Sequence, residues 1–230
     1  MTETALIVGA GPGLSSSLTY LLLKNKFKVA IAARNVAKLT TLAETSNVDV
    51  FTCDASHINQ VQTLFKKLDK TLGTPDLVIY NPSARVRGEI VEVDPEDTQK
   101  AINITCFGAF LVAQEAAKRM VKRGSGSIFF TGASASVKGY ANSSVFAMGK
   151  FGLRGLAQAL ARELHPQNIH IGHFIIDGGI KADHRQERND PGNDSMLDSE
   201  AIAETYLQFH RQHRSSWSWE IELRPWLETF

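Results

Sequence analysis

The segment Gly9-Ala10-Gly11-Pro12-Gly13-Leu14-Ser15 is where residue type and spacing most directly imply chemistry. Glycines let a backbone turn sharply and come close to a bulky anion, while the free N–H groups and positive dipole end of a following helix stabilise phosphate charge. The loop follows an apolar run, Thr4–Val8, and precedes leucines at positions 14, 18, 21 and 22, which share one helical face. A strand, turn and helix in this order is the context a dinucleotide fingerprint requires, so Gly9, Gly13 and Leu14 are the expected pyrophosphate contacts. Other reactive types form no comparable constellation. His57, His165, His170, His173, His184, His210 and His213 include no pair at a convincing ligand spacing, and Cys53 and Cys106 lie far apart. No metal is expected, and the two thiols are expected to be reduced and buried.

The elements that must carry this loop alternate along the chain. β-rich apolar runs are predicted as strands at Thr4–Val8, Lys28–Ala32, Val48–Thr52, Leu77–Tyr80, Ser127–Thr131, His170–Ile176 and Glu220–Leu223. Helical periodicity fills the gaps at Leu14–Lys24, Ile58–Leu72, Pro95–Lys122 and Ser144–Leu164. The last two carry small residues on one face, among them Gly108, Ala109, Ala113, Gly152, Gly155 and Ala159, which allow close packing within the fold or between copies. This alternation predicts an α/β domain over 1–230, with a parallel sheet and helices on both faces. Residues 181–199 turn polar and lose periodicity, as expected of a substrate loop or lid. The 25 basic and 24 acidic residues leave a net charge of +1, so no field draws nucleic acid or anionic membrane, and a small-molecule substrate is expected. No run approaches the ~20 apolar residues of a spanning helix, and the first apolar run leads straight into glycines, leaving no room for a signal peptide. A cytoplasmic protein is expected.

With the glycine loop, Cys53-Asp54, Asn81, Asn103 and the helix bearing Lys150 in this order, the chain resembles the short-chain dehydrogenase/reductase family over nearly its full length. The resemblance implies a Rossmann-type, doubly wound parallel sheet of about seven strands and a nicotinamide dinucleotide. In the family's Gly-x-x-x-Gly-x-Gly loop, Gly9 and Gly13 match and Ser15 takes the third place, where a hydroxymethyl predicts a slightly looser fit with binding retained. At the end of the second strand, Ala32-Ala33-Arg34-Asn35 has no acid for ribose hydroxyls, and Arg34 suits a 2′-phosphate, so NADP(H) is expected over NAD(H). The resemblance gives Asp54 the adenine amino group and Ala55 a backbone contact; alternatively Asp54 or Ser56 caps the helix near Ile58. Asn81-Pro82-Ser83-Ala84 stands where the family has Asn-Ala-Gly. In Asp177-Gly178-Gly179-Ile180, Gly178 and Ile180 fit, the backbone of Ile180 meeting the nicotinamide amide. Asp177 replaces a proline there and is read as a turn residue.

The same resemblance makes Lys150 the ribose-binding lysine and Asn103 the water-holding asparagine. Ser134 is the expected substrate-orienting serine, although an ungapped alignment points to Ala133, and Ser136 is a further candidate. Four residues before Lys150 the family has a proton-exchanging tyrosine; this chain has Phe146, which has no proton to exchange at any pH. Tyr140, or Lys150 acting through a water, are conceivable replacements, with Tyr140 read first as a packing or rim residue. The expectation is an NADP(H)-dependent oxidoreductase acting on a small carbonyl, alcohol or activated alkene. The alkene fits a site without tyrosine somewhat better, because hydrogen bonds can stabilise an enolate oxygen. The alternative is a non-catalytic NADP(H)-binding sensor or structural subunit, which Phe146 favours and Asn103 opposes unless its side chain merely supports its helix. The resemblance also implies a homodimer or homotetramer.

Overall fold

The computed structural model describes residues 2–45, 47–182 and 194–228. Seven strands form one all-parallel sheet: β1 (Thr4–Val8), β2 (Lys28–Ala33), β3 (Val48–Thr52), β4 (Leu77–Tyr80), β5 (Gly126–Thr131), β6 (Ile169–Ile176) and β7 (Glu220–Leu223), in the order β3-β2-β1-β4-β5-β6-β7. Helices cover both faces, so central strands are buried throughout: all eight residues of β6, His170 and His173 included, are buried.

One layer contains α1 (Leu14–Lys24), the short α2 (Thr40–Thr45) and α7 (Ser199–His210); its core joins Leu18, Leu22, Phe129, Phe174, Tyr206 and Phe209. On the other face lie α3 (Ile58–Thr71), α4 (Pro95–Ile102), α5 (Gly108–Arg123) and α6 (Ser144–Leu164), around Phe65, Tyr80, Val112, Met120, Phe130 and Leu153. The periodicity that predicted one helix from Pro95 to Lys122 spans two. A π-turn at Asn103–Phe107 separates α4 from α5, the N–H of Gly108 bonding back to the carbonyl of Asn103. Such turns keep a helix running while re-aiming its side chains, which apolar periodicity does not reveal. Cys53 is buried as expected, whereas Cys106, on the π-turn, is only half-buried. Helix α7 is an addition to the predicted elements; Asp198 caps it, accepting from the N–H groups of Glu200 and Ala201.

Strand β1 lies between β2 and β4. Strand order reverses at this point, and the crevice outside the carboxyl ends of β1 and β4 is where such sheets bind ligands. No described helix is long and apolar enough to cross a membrane. Of the expected loop at 181–199, residues 183–193 lie outside the described residues. Its two ends meet: Lys181 N–H donates to the carbonyl of Leu197, and Leu197 N–H to that of Gly179.

Candidate active site

Gly9 has φ +81°, and a Cβ there would lie 2.6 Å from the Pro82 ring, so the β1 turn has room only for glycine against the loop after β4. Gly13, at φ +96°, is the N-cap of α1; no side chain caps the helix and its first turn holds no acid. The orphan N–H groups and the positive helix end therefore face an opening where a Cβ on Gly11 or Gly13 would meet nothing within 4 Å. Ser15 ties the turn rather than loosening it. Its hydroxyl donates to the carbonyl of Gly9 at 3.2 Å and accepts from Asn81 Nδ2 at 2.8 Å, linking the ends of β1 and β4 where the third glycine would leave nothing.

Two adjoining cavities share Asn81 and Ser83. The first, about 350 Å³, brings together Gly9, Arg34, Lys38, Asp54, Ala55 and Ser56. Lys38 carries no signal in the sequence. It reaches this cavity because Asn35 Oδ1 accepts from Ala37 N–H and starts a 3-10 turn over Val36–Leu39, folding the chain back beside Arg34. Asp54 Oδ1 accepts from both the N–H and the hydroxyl of Ser56. Neither Asp54 nor Ser56 is the cap of α3; its N-cap is His57, one residue further on, without a side-chain bond. Burial works against ionising Asp54, but the Ser56 bonds, with His57 and Arg34 nearby, hold its carboxyl below the usual range.

The second cavity, about 480 Å³, is lined by Gly13 and Leu14 on one side and by Arg85, Ala133, Phe146, Lys150 and Ile180 on the other. Lys150 is buried in α6, and its Nζ donates to the carbonyl oxygen of Thr131 at 2.7 Å. Burial, with the Arg85 guanidinium adding to it, brings its pKa down to about 7. Phe146 presents its ring one helical turn earlier, with Arg85 4.1 Å above the ring centre. Ile180 pairs with Leu197 in a parallel bridge at the mouth.

The structure does not bring every expected residue to this cavity. Ala133 lines it, whereas Ser134 opens a 3-10 turn, Ser134–Ser136, and is not among the lining residues. Asn103 also lies outside it, at the start of the π-turn. Two residues on, Thr105 is buried, its Oγ1 accepts from the N–H of Ala84 at 3.0 Å, and its Cβ would be 3.0 Å from a Cβ on Gly149. Tyr140 is half exposed and absent from the lining. Asp177 is buried and paired with Lys138 at 3.4 Å and Arg224 at 3.3 Å, so its carboxylate pins the loop after β6.

Beneath the cavity runs a polar chain that residue spacing alone gives no means to assemble. Ser136 Oγ accepts from Ala133 N–H and lies 3.3 Å from His173 Nε2; His173 Nδ1 lies 3.0 Å from Glu220 Oε2; Arg154 forks onto both Glu220 oxygens at 2.7 and 2.8 Å. Burial keeps His173 neutral, with its pKa lowered to about 4. The bonds therefore run from a Ser136 hydroxyl donor into Nε2 and from Nδ1–H to Glu220, joining the 3-10 turn after β5 to β6, β7 and α6. No described cluster of histidine, cysteine, aspartate and glutamate could hold a metal ion.

Known proteins share this architecture. The sequence model described as short chain dehydrogenase matches residues 3–192. A 3-oxoacyl-(acyl-carrier-protein) reductase of Bos taurus is 26% identical over 192 residues, 83% of this chain and 81% of its own. The crystal structure of a short-chain dehydrogenase from Rhodopseudomonas palustris superposes with a TM-score of 0.83 at 31% identity, covering 97% of this chain and 99% of that one. An alcohol dehydrogenase from the archaeon Thermococcus sibiricus, solved with 5-hydroxy-NADP, shares the fold at a TM-score of 0.87 and 19% identity, covering 100% of this chain and 99% of its own. A match over most of the chain, on a seven-stranded doubly wound sheet with its glycine loop at the switch point, places this protein in the short chain dehydrogenase family of oxidoreductases.

Proposed function

We propose that this single-domain protein is an NADP(H)-dependent oxidoreductase acting on a small carbonyl, alcohol or activated alkene, with Lys150 and no tyrosine on the floor of its cleft. The observation that carries the reading is the pairing of Arg34 with Lys38 in one cavity, continuous through Asn81 and Ser83 with the cavity of Lys150. Two cations there suit a 2′-phosphate, and the open, uncapped start of α1 suits a pyrophosphate. On this reading Asp54 and Ala55, which line the cavity of Arg34, take the adenine, and Ile180, which lines the cavity of Lys150, takes the nicotinamide amide. The NADP of the Thermococcus structure agrees with this choice of cofactor.

When bound, the nicotinamide nucleotide supplies the hydride donor or acceptor. The protein's own residues do the rest. Near neutral pH, Lys150 is divided between its two protonation states, the condition that favours proton exchange. One of its N–H groups is committed to Thr131; the others can hold a ribose hydroxyl or pass a proton through a water. With Phe146 in the tyrosine's place, a conjugated alkene is the easier substrate, because its enolate oxygen can be stabilised by positive charge without an acid acting in the same step. Phe146 and Ala133 together favour a second reading, a non-catalytic NADP(H) sensor or structural subunit.

Titration of the protein with NADPH and NADH, beside Arg34→Ala, followed by single-turnover NADPH oxidation with enones and carbonyls, tests both. Tight NADPH binding that Arg34→Ala weakens, plus turnover with any of these compounds, supports the enzyme. Binding without turnover supports the sensor, and failure of both nucleotides to bind at millimolar concentration overturns both. A cytoplasmic homodimer or homotetramer completes the proposal; free Cys53 and Cys106 suit a reducing compartment, and exposed Phe110 and Val121 on α5 with Met148 and Phe151 on α6 suit apolar contact between copies.

A further inference from the structure

Gly178, Ile180 and Ala182, which line the cavity of Lys150, come from one loop, the segment that leaves β6. That loop is held from outside the cavity by the chain that leaves β7. Asp177 N–H donates to the carbonyl of Leu223 at 2.8 Å, which carries the attachment of β6 to β7 one residue past Ile176. Gly178, at φ +151°, leaves no room for a side chain: a Cβ there would lie 2.7 Å from the Pro225 ring. The buried Asp177 carboxylate completes the attachment, 3.3 Å from Arg224, which also pairs with Glu222, and 3.4 Å from Lys138.

Lys138 belongs to a different wall of the same cavity. Its N–H donates to the carbonyl of Ser134 in the 3-10 turn that follows Ala133, so one carboxylate ties together the loops after β5, β6 and β7. A buried carboxylate between two cations is fixed more firmly than a solvated pair, because turning it away would leave charge without water or a partner. None of the described partners of Asp177 lines the cavity of Arg34 and Lys38. With the 2′-phosphate beside those two cations and the pyrophosphate at the start of α1, the nicotinamide riboside is left for the cavity of Lys150, and the loop after β6 walls that cavity alone of the two.

We propose that Asp177 is a positioning residue for the nicotinamide ring: joined to Lys138 and to the C-terminal segment Leu223–Pro225, it sets where the backbone of Gly178–Ile180 meets the ring. This rests on the oxidoreductase reading and deepens it. Asp177 touches neither nucleotide nor substrate on this account; it acts through the wall it holds, and its effect is confined to the nicotinamide end.

Calorimetric titration of the wild type and Asp177→Asn with NADPH and with 2′-phospho-ADP-ribose, which lacks only the nicotinamide, tests the assignment. Asparagine keeps the size of the side chain and the main-chain bond to Leu223 while removing the charge. Asp177→Asn is expected to weaken NADPH by about 10-fold and leave 2′-phospho-ADP-ribose within about twofold. The emission of the bound reduced ring should move toward that of NADPH in water. Lys138→Gln, at the more exposed end of the cluster, should give the same selective loss at about 3-fold, and add nothing further to Asp177→Asn. Equal weakening of both ligands, which is what a general loss of structure produces, overturns the inference, and so does an NADPH affinity unchanged in both variants. Should Asp177→Asn fail to fold, Lys138→Gln decides alone in the same terms. The wild type separates the two levels: binding of NADPH without a selective loss in the variants defeats this inference alone, whereas absence of binding by either ligand defeats the oxidoreductase reading beneath it.

Discussion

The two ends of the cleft are built differently, one from backbone turns and cations and the other from an aromatic ring and a buried lysine. At the end proposed for the nucleotide, Gly9 and Gly13 shape the turn and Ser15 adds two hydrogen bonds to it, one of them from Asn81. At the other end, Phe146, Ala133 and Lys150 line the cavity, and Asn103 and Ser134 are not among its lining residues. Dinucleotide recognition rests on backbone N–H groups, turn geometry and net positive charge, which many side chains can satisfy. Proton transfer needs one titratable atom at one place, so a single substitution removes it. Arg85 lies over the Phe146 ring at that end.

Restoring the acid is the most severe challenge to this contrast. Phe146→Tyr should raise the rate of carbonyl reduction by about 10²-fold or more, the usual contribution of a placed general acid, read by stopped-flow NADPH oxidation. No gain would mean that the reacting end works by another route or has lost more than a proton donor. Next, Arg34→Ala with Lys38→Ala should weaken NADPH binding by about 10- to 100-fold and leave NADH nearly unchanged, because only NADPH carries the 2′-phosphate. Equal loss for both nucleotides would show that the two cations do not read that phosphate.

The charge state of Lys150 sharpens the contrast from the stability side. Its folded pKa is depressed to about 7 from an ordinary 10.5, so between those values the unfolded chain binds a proton that the folded chain does not. Stability of the nucleotide-free protein should therefore rise as pH increases from about 7 to 10.5, and Lys150→Met should flatten that part of a Tm-against-pH profile. A wild-type slope that survives in the variant assigns the titration elsewhere. The smallest effect is expected at the nucleotide end: Ser15→Ala removes the hydroxyl between Gly9 and Asn81 and should cost about 1 kcal/mol in denaturant unfolding, with NADPH affinity changed less than by the Arg34 and Lys38 substitutions. A neutral Ser15→Ala would mean that the hydroxyl merely fits the space.

Much of the framework was legible because it is written in short range. All seven strands appear within one residue of their expected bounds, since buried parallel strands read as largely apolar runs, and α1 and α6 fall where helical periodicity put them. The π-turn at Asn103–Phe107 escaped the same signal, because inserting one residue into a turn leaves the apolar pattern nearly intact while rotating the helix beyond it. Asn103 opens that turn, and Thr105, two residues on, accepts from the N–H of Ala84 and lies against Gly149. Similarly, Ser134, Ala133 and Ser136 are indistinguishable as a serine-rich loop, but the 3-10 turn sends Ala133 to the cleft and Ser136 down to His173.

The amino-acid sequence by itself determined the alternating elements, the glycine turn, the absence of an acid after β2 and the absence of a phenol at position 146. Each depends on residue identity or on periodicity over a few turns, and needs no distant partner. Only the tertiary structure decided that Lys38 joins Arg34, that Arg85 stacks on Phe146, that Asp177 is paired rather than free, and that Ser136, His173, Glu220 and Arg154 form one chain. These pairings join residues up to 66 positions apart, Arg154 to Glu220, in a sheet whose strand order departs from chain order. Local propensity has no information about them; burial and hydrogen-bond satisfaction in the packed fold select them.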